Sequence, residues 1–224
     1  MEQITVRSTS ADLPTFSEDM ELTQLSSLGP VAGRLSRFSL GDLRMRALDL
    51  QDATLHEGKV HSVHTEEANI RRVGARSLQF TKCDLGRLRW HEGKISKIWF
   101  NNCKLLGARF DQVILEHAVF TDCKLDYSTF SQIRASGPVM FVRCSLREVD
   151  FEGCDLTRAL FDECDLFLAN FGHGRYARCD LRGSDLSTVK GVNNLKSVII
   201  DRGQLIHLAE AMASELDVTF GDDL

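Results

Sequence analysis

The feature that most constrains this sequence is a large apolar residue at every fifth position. Between residues 80 and 130 the rule is followed by Phe80, Leu85, Trp90, Ile95, Phe100, Leu105, Phe110, Leu115, Phe120, Leu125 and Phe130. Two positions before each of them lies a small or apolar residue, such as Cys83, Ala108 or Val113. An amphipathic helix would need spacings of three and four, and a half-buried strand a spacing of two. A strict period of five therefore predicts a repeat in which each unit forms one short side of a coil.

The register of five extends well beyond this segment. It begins near Gly33, continues to Ala135, and resumes at Phe141 after one inserted residue near Ser136-Gly137-Pro138, to end at Leu186. None of the positions predicted to point inward is charged, although 26% of the chain is charged. Because an unpaired buried charge is costly, this pattern predicts that the inward columns form a continuous core. The inserted residue predicts a bulge at a corner of the coil, with a short recognition loop as the alternative.

The repeat unit reads as a small residue, then Asp or Asn, then Leu or Phe, then two variable positions. Clear examples are Cys83-Asp84-Leu85, Cys154-Asp155-Leu156 and Cys179-Asp180-Leu181. In these units the chain resembles the pentapeptide-repeat family, in particular the members that interact with DNA gyrase and give quinolone resistance. The resemblance implies an all-β fold, namely a right-handed quadrilateral β-helix, and a non-enzymatic, protein-binding function.

We divide the chain into three parts. Residues 1–22 carry no register and are predicted to form an N-terminal tail or a cap over the first coil, since an open coil end needs a cover. Residues 23–190 are predicted to form the β-solenoid. Residues 191–224 are predicted to form a C-terminal cap and a short α-helix.

The C-terminal helix is predicted from its start signal and its apolar spacing. Asp201 stands three positions before Gln204, which is the capping-box spacing. The residues that we assign to one helical face are Leu205, Leu208, Ala209, Met212 and Leu216. The family resemblance implies that this helix mediates homodimerisation, and a lid over the last coil of a monomer is the alternative. The following residues Asp217-Val218-Thr219-Phe220 are predicted to be strand-like.

The seven cysteines are predicted to be core residues. Cys83, Cys103, Cys123, Cys144 and Cys164 are spaced by 20, 20, 21 and 20 residues, so they form one stacked column, and Cys154 and Cys179 occupy other small inward positions. A straight column cannot converge tetrahedrally on zinc, and its thiols are too far apart for regular disulfides. We therefore expect no catalytic residue, no cofactor and no metal site. The odd number of cysteines and the lack of a secretory signal favour the cytoplasm, and no membrane interaction is expected.

One outward face of the coil is predicted to be basic. This basic face carries Arg76, Lys94, Lys97, Arg134, Arg158, Arg175 and Arg178. The whole chain has a formal net charge of −5, so these basic residues are concentrated on one face of a chain that is acidic overall. Such a face could meet an acidic protein surface or nucleic acid, and an ordinary solvated face is the alternative. Because no aromatic platform accompanies it, direct nucleic-acid binding is not expected.

One outward column is apolar rather than polar. It consists of Trp99, Val119, Met140 and Leu160, which fall on successive rungs and are called the apolar strip below. A contiguous apolar strip on a protein surface usually marks a contact. The apolar strip is therefore predicted to be exposed and to bind a partner.

Two functions remain open from the sequence. The family resemblance implies binding to a type II DNA topoisomerase, DNA gyrase or topoisomerase IV, and resistance to an inhibitor of that enzyme. Mimicry of DNA would require far more negative charge than the nearly neutral coil offers, because duplex DNA carries one charge per roughly 1.7 Å. The alternative is a scaffold that binds an unrelated protein through the apolar strip.

Overall fold

The computed structural model describes residues 2–17, 19–28, 33–219 and 221. Its strands are β1 Gln3–Val6, β2 Thr9–Asp12, β3 Thr23–Leu25, β4 Gly33–Gly41, β5 Arg44–Gln51, β6 Ala53–His61, β7 His64–Arg71, β8 Gly74–Thr81, β9 Asp84–Leu85, β10 Leu88–Asn101, β11 Arg109–Thr121, β12 Thr129–Ser131, β13 Arg134–Ala135, β14 Val139–Val142, β15 Asp150–Glu152 and β16 Leu160–Asp162. A single-turn 3-10 segment, Arg202–Gln204, leads into the α-helix α1, Leu205–Glu215.

Strands on successive turns of the chain pair in parallel. The longest path through the sheet runs β3, β4, β6, β8, β10 and β11, and continues to β12 and β15. In this ladder Phe100 lies between Phe80 and Phe120, each 20 positions away. Beyond the last strand, single parallel bridges continue the stack as far as Asp180 and Ile199. The predicted β-solenoid with a C-terminal helix is confirmed.

Two ladders of phenylalanine rings fill the core. In the first, from Phe80 to Phe161, successive ring centroids stack 4.7 to 5.1 Å apart. The second ladder, from Phe110 to Phe171, stacks at 4.9 to 5.4 Å and meets the first edge to face. Offset stacking and edge-to-face contact are both favourable for aromatic rings. The period of five therefore yields a filled interior, because residues 20 apart lie directly above one another.

The inserted residue shifts the register at one corner of the coil. Leu115 pairs with Ala135, which is 20 positions later, whereas Ala118 pairs with Val139, which is 21 positions later. The Ala118 amide donates to the carbonyl of Pro138 at 3.0 Å, so the ladder closes again directly after the proline. The insertion is a corner bulge, as predicted.

The N-terminal residues form a hairpin rather than a loose tail. Strands β1 and β2 pair antiparallel, with Ile4 opposite Ala11 and a two-residue loop, Arg7-Ser8, between the strands. This N-terminal hairpin packs against the side of the coils instead of covering the first one, because its apolar residues join the core cluster of Val119 and Met140.

The segment after the helix differs from the sequence prediction. Asp217 lies in a turn, and Val218 and Thr219 belong to no strand, so the strand-like assignment is wrong for these three residues. Phe220, the fourth residue of that assignment, lies outside the described residues. Within the part of the chain that the structure describes, no helix has the length and apolarity needed to cross a membrane.

Candidate interaction surfaces

The apolar strip is covered by the chain itself. Val119, Met140 and Leu160 are each 0% exposed and pack against Ala11 and Leu13 of the N-terminal segment. Trp99 lies at the edge of the same cluster and is partly buried, together with Ile4 and Val6. The prediction that the strip is exposed is therefore wrong. Its apolar character is explained by the N-terminal hairpin, so it is not a free surface for a partner in this structure.

Polar contacts hold the N-terminal hairpin at both ends. In its loop, Arg7 lies 2.6 Å from the Asp162 carboxylate and 3.1 Å from that of Asp180. At the end of β2, the Asp12 amide donates to Nδ1 of His117 at 2.8 Å, and the Asp12 carboxylate lies 2.9 Å from Nζ of Lys97. The hydrogen bond from Lys97 holds the pKa of the Asp12 carboxylate below its usual value. The hairpin is therefore attached by charge as well as by apolar packing.

A signal for the hairpin was present in the sequence. Ile4 and Val6 alternate with polar residues, and Ala11 and Leu13 do so after the short Arg7-Ser8 turn. Alternation of period two is typical of strands with one buried face. It extends over only four residues on each side, so it could indicate a hairpin but not the surface that the hairpin covers.

Helix α1 has two apolar stripes that face in different directions. The inner side packs on the last coils: Ala211 is 1% exposed and Leu208 contacts the main core. The outward stripe consists of Leu205, Ala209, Met212 and Leu216, and its three large members are 60%, 42% and 66% exposed. Of the five residues assigned to one face, Leu208 therefore belongs to the inner side.

Gln204 ties the start of the helix to the coil end. Its Oε1 accepts a hydrogen bond from the Asp201 amide at 2.7 Å, which is half of the predicted capping box. Its Nε2 donates to the carbonyls of Leu181 and Ser184 at 2.8 and 2.7 Å, and the residue is buried. At the other end, Glu215 accepts from the amide of Gly191. The helix is thus a fixed cap, and its outward stripe is held in a defined orientation.

The basic face divides into an upper half, with Arg76, Lys94 and Lys97, and a lower half, with Arg134, Arg158, Arg175 and Arg178. In the upper half, Lys94 lies 2.7 Å from Glu116 and Lys97 lies against Asp12, so these ammonium groups have carboxylate partners. The bond from Lys94 holds the pKa of Glu116 below its usual value. Arg76 is on the same half, beside these pairs. The upper half is therefore largely neutralised.

The lower half of the basic face keeps more uncompensated charge. Arg134, Arg158 and Arg178 form no ion pair with any residue that the structure describes. Arg175 lies 3.4 Å from Asp155, but its side chain is 80% exposed. Together with the hairpin loop, Arg134, Arg158 and Arg175 line an open groove of about 820 Å³, called the arginine groove below.

Three large apolar side chains remain exposed on the side of the coil that follows the inward column Leu105, Leu125, Leu146 and Leu166, called the leucine side below. Leu106, Tyr127 and Phe167 are 48%, 64% and 38% exposed. The Arg147 guanidinium lies 4.4 Å from the Phe167 ring centre, which is the distance of a cation–π contact. With the apolar strip covered, these three are the large apolar side chains of the coil body that are exposed among the residues described.

All seven cysteines are free and buried. Burial raises the pKa of the Cys154 thiol to about 12. The pKa of the Cys103 thiol is also raised to about 12, mainly by a side-chain hydrogen bond with the Cys123 thiol. Among the described residues, no group of three or more His, Cys, Asp or Glu side chains is arranged to hold a metal ion. The cysteines are placed as core fillers, which agrees with the sequence interpretation.

Part of the repeat region matches a known protein family. A family model described as the pentapeptide repeat region matches residues 93–171. This chain carries a pentapeptide repeat region. The resemblance inferred from the sequence is thereby confirmed, and the solenoid is a pentapeptide-repeat solenoid. No curated protein sequence matches the chain significantly.

Solved structures of two proteins, QnrB1 and the pentapeptide repeat protein HetL, are similar to this chain. A trypsin-treated variant of QnrB1, a plasmid-mediated fluoroquinolone resistance protein, matches 85% of this chain and 99% of its own, with 19% identity and a TM-score of 0.47. HetL from the cyanobacterium Nostoc sp., involved in the regulation of heterocyst differentiation, matches 77% of this chain and 89% of its own, with 16% identity and a TM-score of 0.31. At these identities and TM-scores the likeness transfers no function.

Proposed function

We propose that this pentapeptide-repeat solenoid is a non-enzymatic protein-interaction module that forms a homodimer through its C-terminal helix. The observation that supports the proposal is the outward stripe of α1. Leu205, Met212 and Leu216 are exposed in a row, although the same helix buries Ala211 on its inner side. A short helix needs only one apolar stripe to cap a coil, so the second stripe is available for a contact.

A second copy of the chain suits this stripe. The four residues of the outward stripe carry no charge, so two copies related by a two-fold axis would meet without opposed like charges. Ile206 and Val218, which are 64% and 49% exposed, widen the apolar area on either side. Burial of large apolar side chains stabilises such a contact by roughly 25 cal/mol per Å² of area removed from water.

For the protein partner we propose a type II DNA topoisomerase, either DNA gyrase or topoisomerase IV, with resistance to an inhibitor of that enzyme as the consequence. Support comes from the pentapeptide register together with a helix at its C-terminal end, on which the sequence resemblance rests. The proposal also locates the protein in the cytoplasm, where buried thiols stay reduced.

The contact with the topoisomerase would not depend on a DNA-like charge. Several acidic side chains on the coil are paired across rungs; for example, Arg72 binds Asp52 at 2.6 Å, and Arg143 binds Asp122 at 2.8 Å. Duplex DNA would present uncompensated phosphates along its whole length. We therefore expect binding that depends on shape and apolar contact and that tolerates added salt.

The alternative function is a scaffold for an unrelated protein. It is favoured by the exposed Leu106, Tyr127 and Phe167 on the leucine side. The covered apolar strip no longer supports it. A Tyr127→Asp variant should lose the partner in a pull-down from host extract, while a Tyr127→Phe variant should retain it.

The test of the topoisomerase proposal is a supercoiling assay with gyrase from the host organism. The purified protein at micromolar concentration should change supercoiling or restore it in the presence of a fluoroquinolone. A Met212→Asp variant should weaken the effect if the dimer is the active form. Absence of any effect on gyrase and topoisomerase IV at every salt concentration would remove the topoisomerase and leave the scaffold.

A further inference from the structure

The arginine groove lies where the N-terminal hairpin meets the basic face. Its floor carries Arg134, Arg158 and Arg175, and its wall is the N-terminal hairpin with Ser8 of the loop and Thr9 and Ser10 of β2. The opposite rim is the corner at which the inserted residue shifts the register, so two departures from the regular repeat meet here. The groove exists only because the hairpin docks beside the coil.

Positive charge exceeds negative charge in the groove. Asp155 is the carboxylate among its lining residues. One oxygen of that carboxylate already accepts from the amide and the hydroxyl of Thr157, at 3.2 and 2.7 Å. The other oxygen lies 3.4 Å from Nε of Arg175. Asp155 is thus engaged, and Arg134 and Arg158 form no ion pair with the residues described in the structure.

The arrangement of the guanidinium groups suits separate carboxylates. Arg134, Asp155 and Arg175 follow one another on successive rungs. Rungs are about 4.8 Å apart, so the two arginines project from points roughly 10 Å apart along the coil. A planar guanidinium binds a carboxylate through two parallel hydrogen bonds, and hydroxyl groups on the wall can donate further ones.

We propose that the arginine groove binds an extended acidic segment of a partner protein. The proposal rests on the protein-interaction function, and it specifies the chemistry that one surface recognises. Nucleic acid is the less suitable ligand, because no aromatic side chain lines the groove and base stacking dominates the binding of single strands. The charged residues of the upper half contribute little, since Lys94 and Lys97 already have carboxylate partners.

The test is a titration of the full-length protein with a hexaglutamate peptide at low ionic strength. An Arg134→Gln/Arg158→Gln double variant removes two exposed guanidinium groups. A matched control is Arg44→Gln/Arg46→Gln, which removes the same charge from exposed residues on another side of the coil. Circular dichroism should show that both variants fold like the wild type.

The groove proposal predicts at least a tenfold weaker affinity for the peptide in the Arg134/Arg158 variant and unchanged affinity in the control. Equal affinity in both variants, or no binding by the wild type, would overturn the proposal. Tighter binding of a DNA oligonucleotide of equal charge would overturn it in favour of nucleic acid. The peptide assay needs neither dimerisation nor a topoisomerase, so its failure is distinguishable from failure of the proposed function.

Discussion

The Arg7 guanidinium lies 2.6 Å from the carboxylate of Asp162, and it also reaches Asp180, which is 173 positions away in the sequence. Burial raises the pKa of the Asp180 carboxyl, but hydrogen bonds from Arg182 and the charge of Arg7 outweigh burial and hold this pKa below its usual value. A residue near the start of the chain is therefore bound to its last coils. The N-terminal hairpin can dock only on coils that are already stacked.

Detachment of the hairpin should expose Trp99. In an Ala11→Asp variant, a carboxylate would be buried against Val119 and Met140, so we expect the hairpin to leave the coil while the coil stays folded. Acrylamide quenching of tryptophan fluorescence should increase, and trypsin should cleave after Arg7. A Thr5→Asp variant is the control, because Thr5 is exposed on the outer face of the same hairpin. Unchanged quenching in Ala11→Asp would contradict this account of the hairpin.

Acid should weaken the attachment through Asp12. Its folded-state pKa is lower than the ordinary value of 3.8, so the ionised carboxylate stabilises the folded protein above that pH. The contribution is lost as the pH falls through the lower, folded-state pKa. An Asp12→Asn variant should therefore have a lower melting temperature than the wild type near neutral pH, and the difference should shrink as the pH falls below 3.8. A melting-temperature difference between Asp12→Asn and the wild type that stays constant with pH would rule out the carboxylate as its source.

Replacement of the buried Thr65 hydroxyl by a methyl group should stabilise the folded protein. Thr65 is 1% exposed and its Oγ1 has no hydrogen-bond partner among the described residues. Thr65→Val should raise the free energy of unfolding by about 1 kcal/mol, because it removes an unpaired polar group without changing the shape. Thr121→Val is the matched control: the Thr121 hydroxyl accepts from Nε1 of Trp99 at 2.9 Å, so its removal should destabilise the protein. Denaturant midpoints would measure both, and destabilisation by Thr65→Val would show that its hydroxyl has a partner.

The cysteines should react slowly in the folded protein. All seven thiols are buried, and burial raises the pKa of Cys154 to about 12, so the reactive thiolate is scarce at neutral pH. Ellman's reagent should label few thiols without denaturant and all seven after unfolding. Prompt labelling of most thiols in the native state would contradict the inward register.

The coil could be predicted from the sequence because each inward position repeats the same environment. Residues such as Phe100 and Phe120 must stack if four units make one turn, and the rings lie 5.1 Å apart. The insertion near Pro138 was visible for the same reason, since one shifted residue displaces every later column. The family signal rests on that repetition and not on any single residue.

The surface was harder to predict because it depends on contacts between distant segments. The sequence marks Val119 and Met140 as apolar and outward, but it does not show that Ala11 and Leu13 cover them. In the helix, Leu205 and Leu208 are both apolar at helical spacing, and only the position of the last coil determines which one packs inward. The arginine groove likewise requires the hairpin loop to be placed beside Arg134.

The outward stripe of the C-terminal helix is the central feature of the proposed function, and the molar mass in solution tests it most directly. Size-exclusion chromatography with light scattering should give twice the chain mass of 25.1 kDa for the wild type. Met212→Asp should give the mass of one chain, because it introduces a charge into the paired stripes. Glu210→Gln, at an exposed position outside the stripe, is the control and should remain dimeric. A wild type that has the mass of one chain at high concentration would contradict the proposal and reduce the helix to a cap on the last coil.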